Sequence, residues 1–199
     1  MMVLLKYIIV ILAGLAIGEA LSQTRNHTKT DVNPINLLDK FHQNDYKLEF
    51  ERIEMVYVKK QYIKRFDFVT FKYNRTTAVI NATCEPRIDL GYEHDLVLQT
   101  YKLASNEYRL FPIRFQVNFC EAFNKNVIGL QGFKRCGNFT GCPLSKNKAM
   151  TVCNWSPDAS RFPPHIPNGR YMIEAQGLFR TTELFVARLY ATVYRPIVV

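Results

Sequence analysis

The chain is poor in the features that announce a catalyst or a membrane span. It has no Gly-x-Ser-x-Gly elbow, no His-Glu-x-x-His helix and no phosphate-cradling glycine loop, so the common nucleophilic, zinc-dependent and nucleotide-dependent chemistries have no local signature in it. No two cysteines share Cys-x-x-Cys spacing, and its 4 histidines (His27, His42, His94, His165) are scattered, which argues against a metal site. No stretch beyond the first 22 residues is apolar enough to span a bilayer, and no internal repeat or low-complexity segment is present. These absences point away from an enzyme. No cofactor and no metal are expected.

What is present begins with a secretory pattern. Lys6 precedes the apolar run Tyr7 to Ala16, and Ala20, Leu21 and Ser22 supply small residues at cleavage-site spacing, so residues 1–22 are expected to be a signal peptide. Glu19 interrupts any extension to membrane length. Secretion places all 5 cysteines in an oxidising compartment. The candidate pairs are Cys120 with Cys142 and Cys136 with Cys153, which leaves Cys84 buried and free or bonded between chains. Five sequons, at Asn26, Asn74, Asn81, Asn138 and Asn154, fit a glycosylated extracellular protein. The formal charge of +9 is spread over the chain. Its densest group, Lys59, Lys60, Lys64 and Arg65, reads as a solvated loop or a charge-protected edge strand, and no nucleic-acid partner is expected.

Hydrophobic patterning predicts strands. Ile113, Phe115, Val117 and Phe119 alternate with polar residues, the period of a strand with one buried face. Cys120 ends that run, and Phe123, Val127 and Leu130 then follow at spacings that put them on one face of a short helix. The turn-rich segment from Asn138 to Pro143 can return Cys142 to Cys120, closing the excursion into one loop. Upstream, Tyr46, Leu48 and Phe50 alternate, but the phase slips to Ile53, Met55 and Tyr57, which requires a bulge or break near Glu51 and Arg52.

Phe66 to Tyr73 and the inward set Ala78, Ile80, Ala82 and Cys84 make two more strands. Leu96–Leu103 and Tyr108–Phe119 form a hairpin about Ser105-Asn106, with Pro112 at an edge or a break. Lys148 to Trp155 gives a short strand, and a proline-punctuated loop fills 157–169. Tyr171, Ile173 and Ala175 alternate, as do Phe185, Ala187, Leu189, Ala191 and Val193. His94-Asp95, after Gly91, reads as a solvated turn.

The expected fold is an all-β, antiparallel sandwich with one short helix in a disulfide-closed loop. Residues 23–45 are expected to be a mobile N-terminal segment, with a short helix from Pro34 capped by Asp31 or Asn33. The alternation of large and small side chains on the last strand leaves room between two sheets for an apolar ligand; side chains that interdigitate into a solid core are the competing outcome.

The order Asn74-Arg-Thr-Thr, Asn118-Phe-Cys120-Glu-Ala-Phe123, Asn138-Phe-Thr-Gly-Cys142-Pro143 and Pro164-His-Ile-Pro167-Asn-Gly169-Arg-Tyr171 resembles an insect family of secreted proteins similar to the ML (MD-2-related lipid-recognition) superfamily, the CheB chemosensory proteins among them. The likeness covers residues 46–195. It implies an immunoglobulin-like sandwich whose sheets splay to admit lipid, with Cys120 and Cys142 matching a family disulfide. Cys84 at a strand position and the added pair Cys136 and Cys153 depart from that pattern. Ile113, Phe115, Val117, Phe119, Ile173, Phe185 and Leu189 are the residues expected to line the interior. The implied function is binding of a hydrophobic small molecule, with a membrane receptor or extracellular protein as further partner. The alternative is a glycosylated interaction module with a filled core.

Overall fold

A computed structural model of the chain describes residues 34–75 and 77–196. Residues 1–22, expected to be a signal peptide, lie outside the described residues, as do Asn26 and the capping positions Asp31 and Asn33. Helix α1 (Pro34–Leu38) comes first, with proline at its opening position, where the missing N–H is no loss. Ile35 and Leu38 are buried in the main core and Phe41 packs against it. Among the described residues, core packing thus includes Ile35, Leu38 and Phe41, upstream of residue 46.

Eight strands follow: β1 (Lys47–Val58), β2 (Ile63–Lys72), β3 (Ala78–Pro86), β4 (His94–Ala104), β5 (Glu107–Asn118), β6 (Met150–Trp155), β7 (Gly169–Phe179) and β8 (Thr182–Tyr194). They form a five-stranded sheet in the order β1-β8-β7-β4-β5 and a three-stranded sheet in the order β2-β3-β6, with every pairing antiparallel. The predicted all-β antiparallel sandwich is the observed fold.

Local chemistry accounts for the details. In β1, Phe50 pairs with Ala191 and Arg52 with Tyr190, so Glu51 is the extra residue of a bulge that resets the phase from Phe50 to Ile53. The β4–β5 hairpin turns on Ser105 and Asn106, both with positive φ, 52° and 65°, as a two-residue loop matched to strand twist requires. Pro112 lies on β5, an edge strand, where it deprives no neighbour of a donor. The register breaks opposite it, and the Gln99 side-chain amide donates to the carbonyls of Phe111 (3.2 Å) and Ile113 (3.4 Å) across the gap.

Between β5 and β6 the chain leaves the sheets. Helix α2 (Phe119–Asn124) is only 6 residues long, and a 3-10 segment (Val127–Arg135) succeeds it. The continuous helix predicted through Leu130 is thus two pieces. Asn126 and Ile128 adopt left-handed backbone, φ 54° and 47°, which breaks any helical run. Phe123, Val127 and Leu130 are nevertheless all buried, so their common inward direction survives the break. Both expected disulfides are present, with Cα–Cα distances of 5.6 Å for Cys120–Cys142 and 5.2 Å for Cys136–Cys153. They tie the excursion to itself and to β6.

Candidate functional site

The inward faces of the two sheets enclose a cavity of about 290 Å³, at the lower end of the range for small-molecule pockets. Each strand contributes by its period-2 face. From the five-stranded sheet come Leu48 and Ile53 of β1, Leu96 and Leu98 of β4, Phe111, Ile113 and Phe115 of β5, Tyr171, Ile173 and Ala175 of β7, and the β8 series from Phe185 to Val193. The three-stranded sheet adds Phe66 and Phe68 of β2, Ile80, Ala82 and Cys84 of β3, and Met150, Val152 and Trp155 of β6. Ala175 and Ala187 are register partners on β7 and β8, so two methyl side chains meet at the centre of the large sheet. That juxtaposition is where the wall stands back.

The ends are closed by non-strand residues. At one, Phe119, Phe139 and Leu144 of the disulfide-tied excursion border the cavity; its 3-10 segment, which supplies Val127, Leu130 and Phe133, extends to the proline-rich loop, the Asp158 N–H donating to the Ile128 carbonyl (2.9 Å). At the other are Pro157, Arg161, Phe162, Pro163 and Ile166 of the proline-rich loop. Hydrogen bonds hold this loop down. Tyr46 Oη donates to the Pro163 carbonyl (2.7 Å) and Tyr171 Oη to the Pro167 carbonyl (2.7 Å). Arg195 donates to the Ile166 carbonyl (3.0 Å) while pairing with Asp45 (2.8 Å).

Of the seven residues expected to line the interior, Ile113, Phe115, Phe119, Ile173, Phe185 and Leu189 border the cavity. Val117 does not: it is buried in the packed core beside α2. The β2, β3 and β6 wall was not among those seven, although the alternation Phe66, Phe68 and Ile80, Ala82, Cys84 carried the signal. Cys84 is free and on the cavity wall, and burial pushes its thiol up to about 12. It is an unionised, unreactive thiol at neutral pH.

His94 is the main correction. It is not in a solvated turn but is the first residue of β4, 4% exposed, with its ring on the cavity wall. It falls in phase with Leu96, Leu98 and Thr100, a two-residue period that could have revealed it. Its ring lies 5.5 Å from that of Phe119 and 6.2 Å from that of Phe185. Phe185 can take that place because its register partner is Gly177; a Cβ there would collide with the ring.

The His94 backbone is fixed by Asn118, whose side-chain amide donates to the His94 carbonyl (3.1 Å) and the Tyr92 carbonyl (2.8 Å). The same side chain's oxygen accepts from the N–H groups of Cys120 (3.0 Å) and Glu121 (3.2 Å), capping α2. Neither ring nitrogen of His94 has a hydrogen-bond partner among the described residues.

Burial lowers the His94 pKa from 6.5 to about 4, with Asp95 opposing the shift. An unfolded chain takes up a proton between those two values that the folded chain refuses. The resulting contribution to stability is complete above about pH 6.5 and is lost as pH falls toward 4, about 3 kcal/mol at full extent. Denaturant unfolding at pH 7 and pH 4.5 is therefore expected to show wild-type protein losing about 2–3 kcal/mol more than His94→Phe on acidification. Equal losses in the two proteins would refute the assignment.

Elsewhere several polar side chains pair with one another. Arg188 pairs with Glu174 (2.9 Å), and Tyr190 Oη donates to Glu54 (2.8 Å). In the basic cluster, Lys64 pairs with Glu85 (2.7 Å) and Arg65 with Asp67. Among the described residues, no group of three or more His, Cys, Asp or Glu side chains is placed to hold a metal ion, and no helix is long and apolar enough to cross a membrane. The sequon residues Asn74, Asn138 and Asn154 are exposed and Asn81 is half-buried.

A family model described as protein of unknown function (DUF1091) matches residues 96–173, from β4 into β7. Among solved structures, the chain is similar to the crystal structure of a Niemann-Pick type C2 protein from Japanese carpenter ant, at 11% identity and a TM-score of 0.30, covering 76% of this chain and 97% of that one. No curated protein matches the sequence.

Proposed function

We propose that this protein is a secreted carrier or co-receptor that sequesters a hydrophobic ligand, such as a fatty acid, sterol or hydrocarbon, between its two sheets without making or breaking a bond. The observation that carries this reading is the cavity of about 290 Å³ walled by aliphatic and aromatic side chains from every strand. An apolar ligand would bind there chiefly by leaving water. The cavity runs against the competing reading of a filled core acting through surface loops. Secretion is supported by the N-terminal pattern and by the two disulfides. The chemosensory setting rests on the resemblance to the CheB-containing insect family alone.

Protein purified from a eukaryotic secretory host, folded and washed free of detergent, is expected to release lipid on solvent extraction, detectable by mass spectrometry at a substantial fraction of one molecule per chain. Repeated extractions that yield nothing, together with failure of the protein to take up a fluorescent lipid probe, would overturn the proposal.

A further inference from the structure

We propose that the ligand is an amphiphile with a single uncharged hydroxyl, held head-first against the His94 imidazole with its hydrocarbon part along the β4 groove. This rests on the cavity-binding reading above and goes beyond it by assigning the headgroup and its polar anchor.

His94 is the cavity's buried polar side chain whose ring nitrogens both lack partners among the described residues. A buried polar atom left unpaired is costly, and native proteins place such groups where something pairs with them. A neutral imidazole offers one N–H donor and one acceptor nitrogen. A hydroxyl both donates and accepts, so it can pair with one ring nitrogen in either tautomer of the imidazole. A carboxylate only accepts, and it would bring a charge among Phe119 and Phe185 with no cation beside it. The wall residue that does bear a charge, Arg161, belongs to the proline-rich loop and is paired with Asp158 at 3.5 Å.

Geometry sets the orientation. His94, Leu96, Leu98 and Thr100 share the inward face of β4. At about 3.3 Å per residue, the row from His94 to Thr100 runs roughly 20 Å along the sheet. A hydroxyl anchored at the disulfide-tied end therefore sends its hydrocarbon along Leu96 and Leu98 toward the proline-rich loop. The Asn118 bonds to the His94 and Tyr92 carbonyls give the anchor a fixed backbone.

The test compares 1-undecanol with n-dodecane, ligands of equal heavy-atom count that differ in hydroxyl against methyl, by displacement of a fluorescent lipid probe from wild-type protein and from His94→Phe. Two ligands and two proteins form a cycle that isolates the hydroxyl–imidazole coupling from the shared hydrocarbon. The alcohol-to-alkane affinity ratio is expected to be about tenfold higher in wild type than in the variant. A ratio changed less than threefold, with both ligands bound, overturns the anchor while leaving the cavity reading intact. Displacement by neither ligand overturns both.

Because the variant removes a core residue, the same question is put to wild-type protein carrying ¹⁵N-labelled histidine. Undecanol is expected to shift the His94 ring nitrogen resonances and dodecane to leave them in place. Identical spectra with the two ligands would refute the contact.

Discussion

Ala187→Phe is expected to reduce extractable lipid at least about tenfold while leaving the protein folded. Ala187 is 2% exposed, lies on the cavity-facing side of β8, and is flanked in register by Ala175 on β7 and Met55 on β1. A benzyl group there projects from the place where the large sheet is shallowest, into the volume a hydrocarbon would occupy. In a solid core such overpacking costs about 1–3 kcal/mol. Here the added ring has space to enter, so the thermal midpoint is expected to move little. Lipid retention and the melting curve are thus separate readouts. A variant that melts like wild type and still carries a full complement of lipid would place the ligand elsewhere. Ala175→Phe, from the neighbouring strand, repeats the test should Ala187→Phe fail to accumulate.

The second large effect is expected from removing the Cys120–Cys142 bond by a paired substitution to alanine. The bridge spans 22 residues, and the loss of chain entropy it imposes on the unfolded state corresponds to about 3 kcal/mol. Cys120 is fully buried at the start of α2, so the lost sulfur contacts add to that figure and the total is expected at about 3–5 kcal/mol in urea unfolding. The Cys136–Cys153 bridge spans 17 residues, a similar entropic value, but both of its cysteines are half-exposed and little packing is lost with it. The first removal is therefore expected to be the more damaging. It should also loosen Phe119, Phe139 and Leu144 at the end of the cavity and speed lipid release. A loss below about 1 kcal/mol would mean that packing alone holds the excursion in place.

Much of this architecture was legible from residue order. The bulge at Glu51 follows from the phase slip between Phe50 and Ile53, because a strand cannot turn its apolar face outward without an extra residue. The Ser105-Asn106 turn and the inward series Phe185, Ala187, Leu189, Ala191 and Val193 were equally plain, since a two-residue period is imposed by local covalent geometry. The helix was less so. The spacing of Phe123, Val127 and Leu130 tells which way side chains point, not whether Asn126 and Ile128 between them keep right-handed backbone.

His94 shows the other boundary of what sequence can disclose. Beside Gly91, Tyr92 and Glu93 it has the local character of a turn, and its burial comes from Phe119 of α2 and Phe185 of β8, brought in from elsewhere in the chain. The cavity wall divides in the same way. Which side chains turn inward along each strand was determined by the sequence, through alternation that each segment carries in itself. Which strands face one another, that Ala175 meets Ala187, and that an imidazole with no partner among the described residues borders the resulting space were decided only by the tertiary structure, because register and sheet order depend on contacts between residues far apart in the chain.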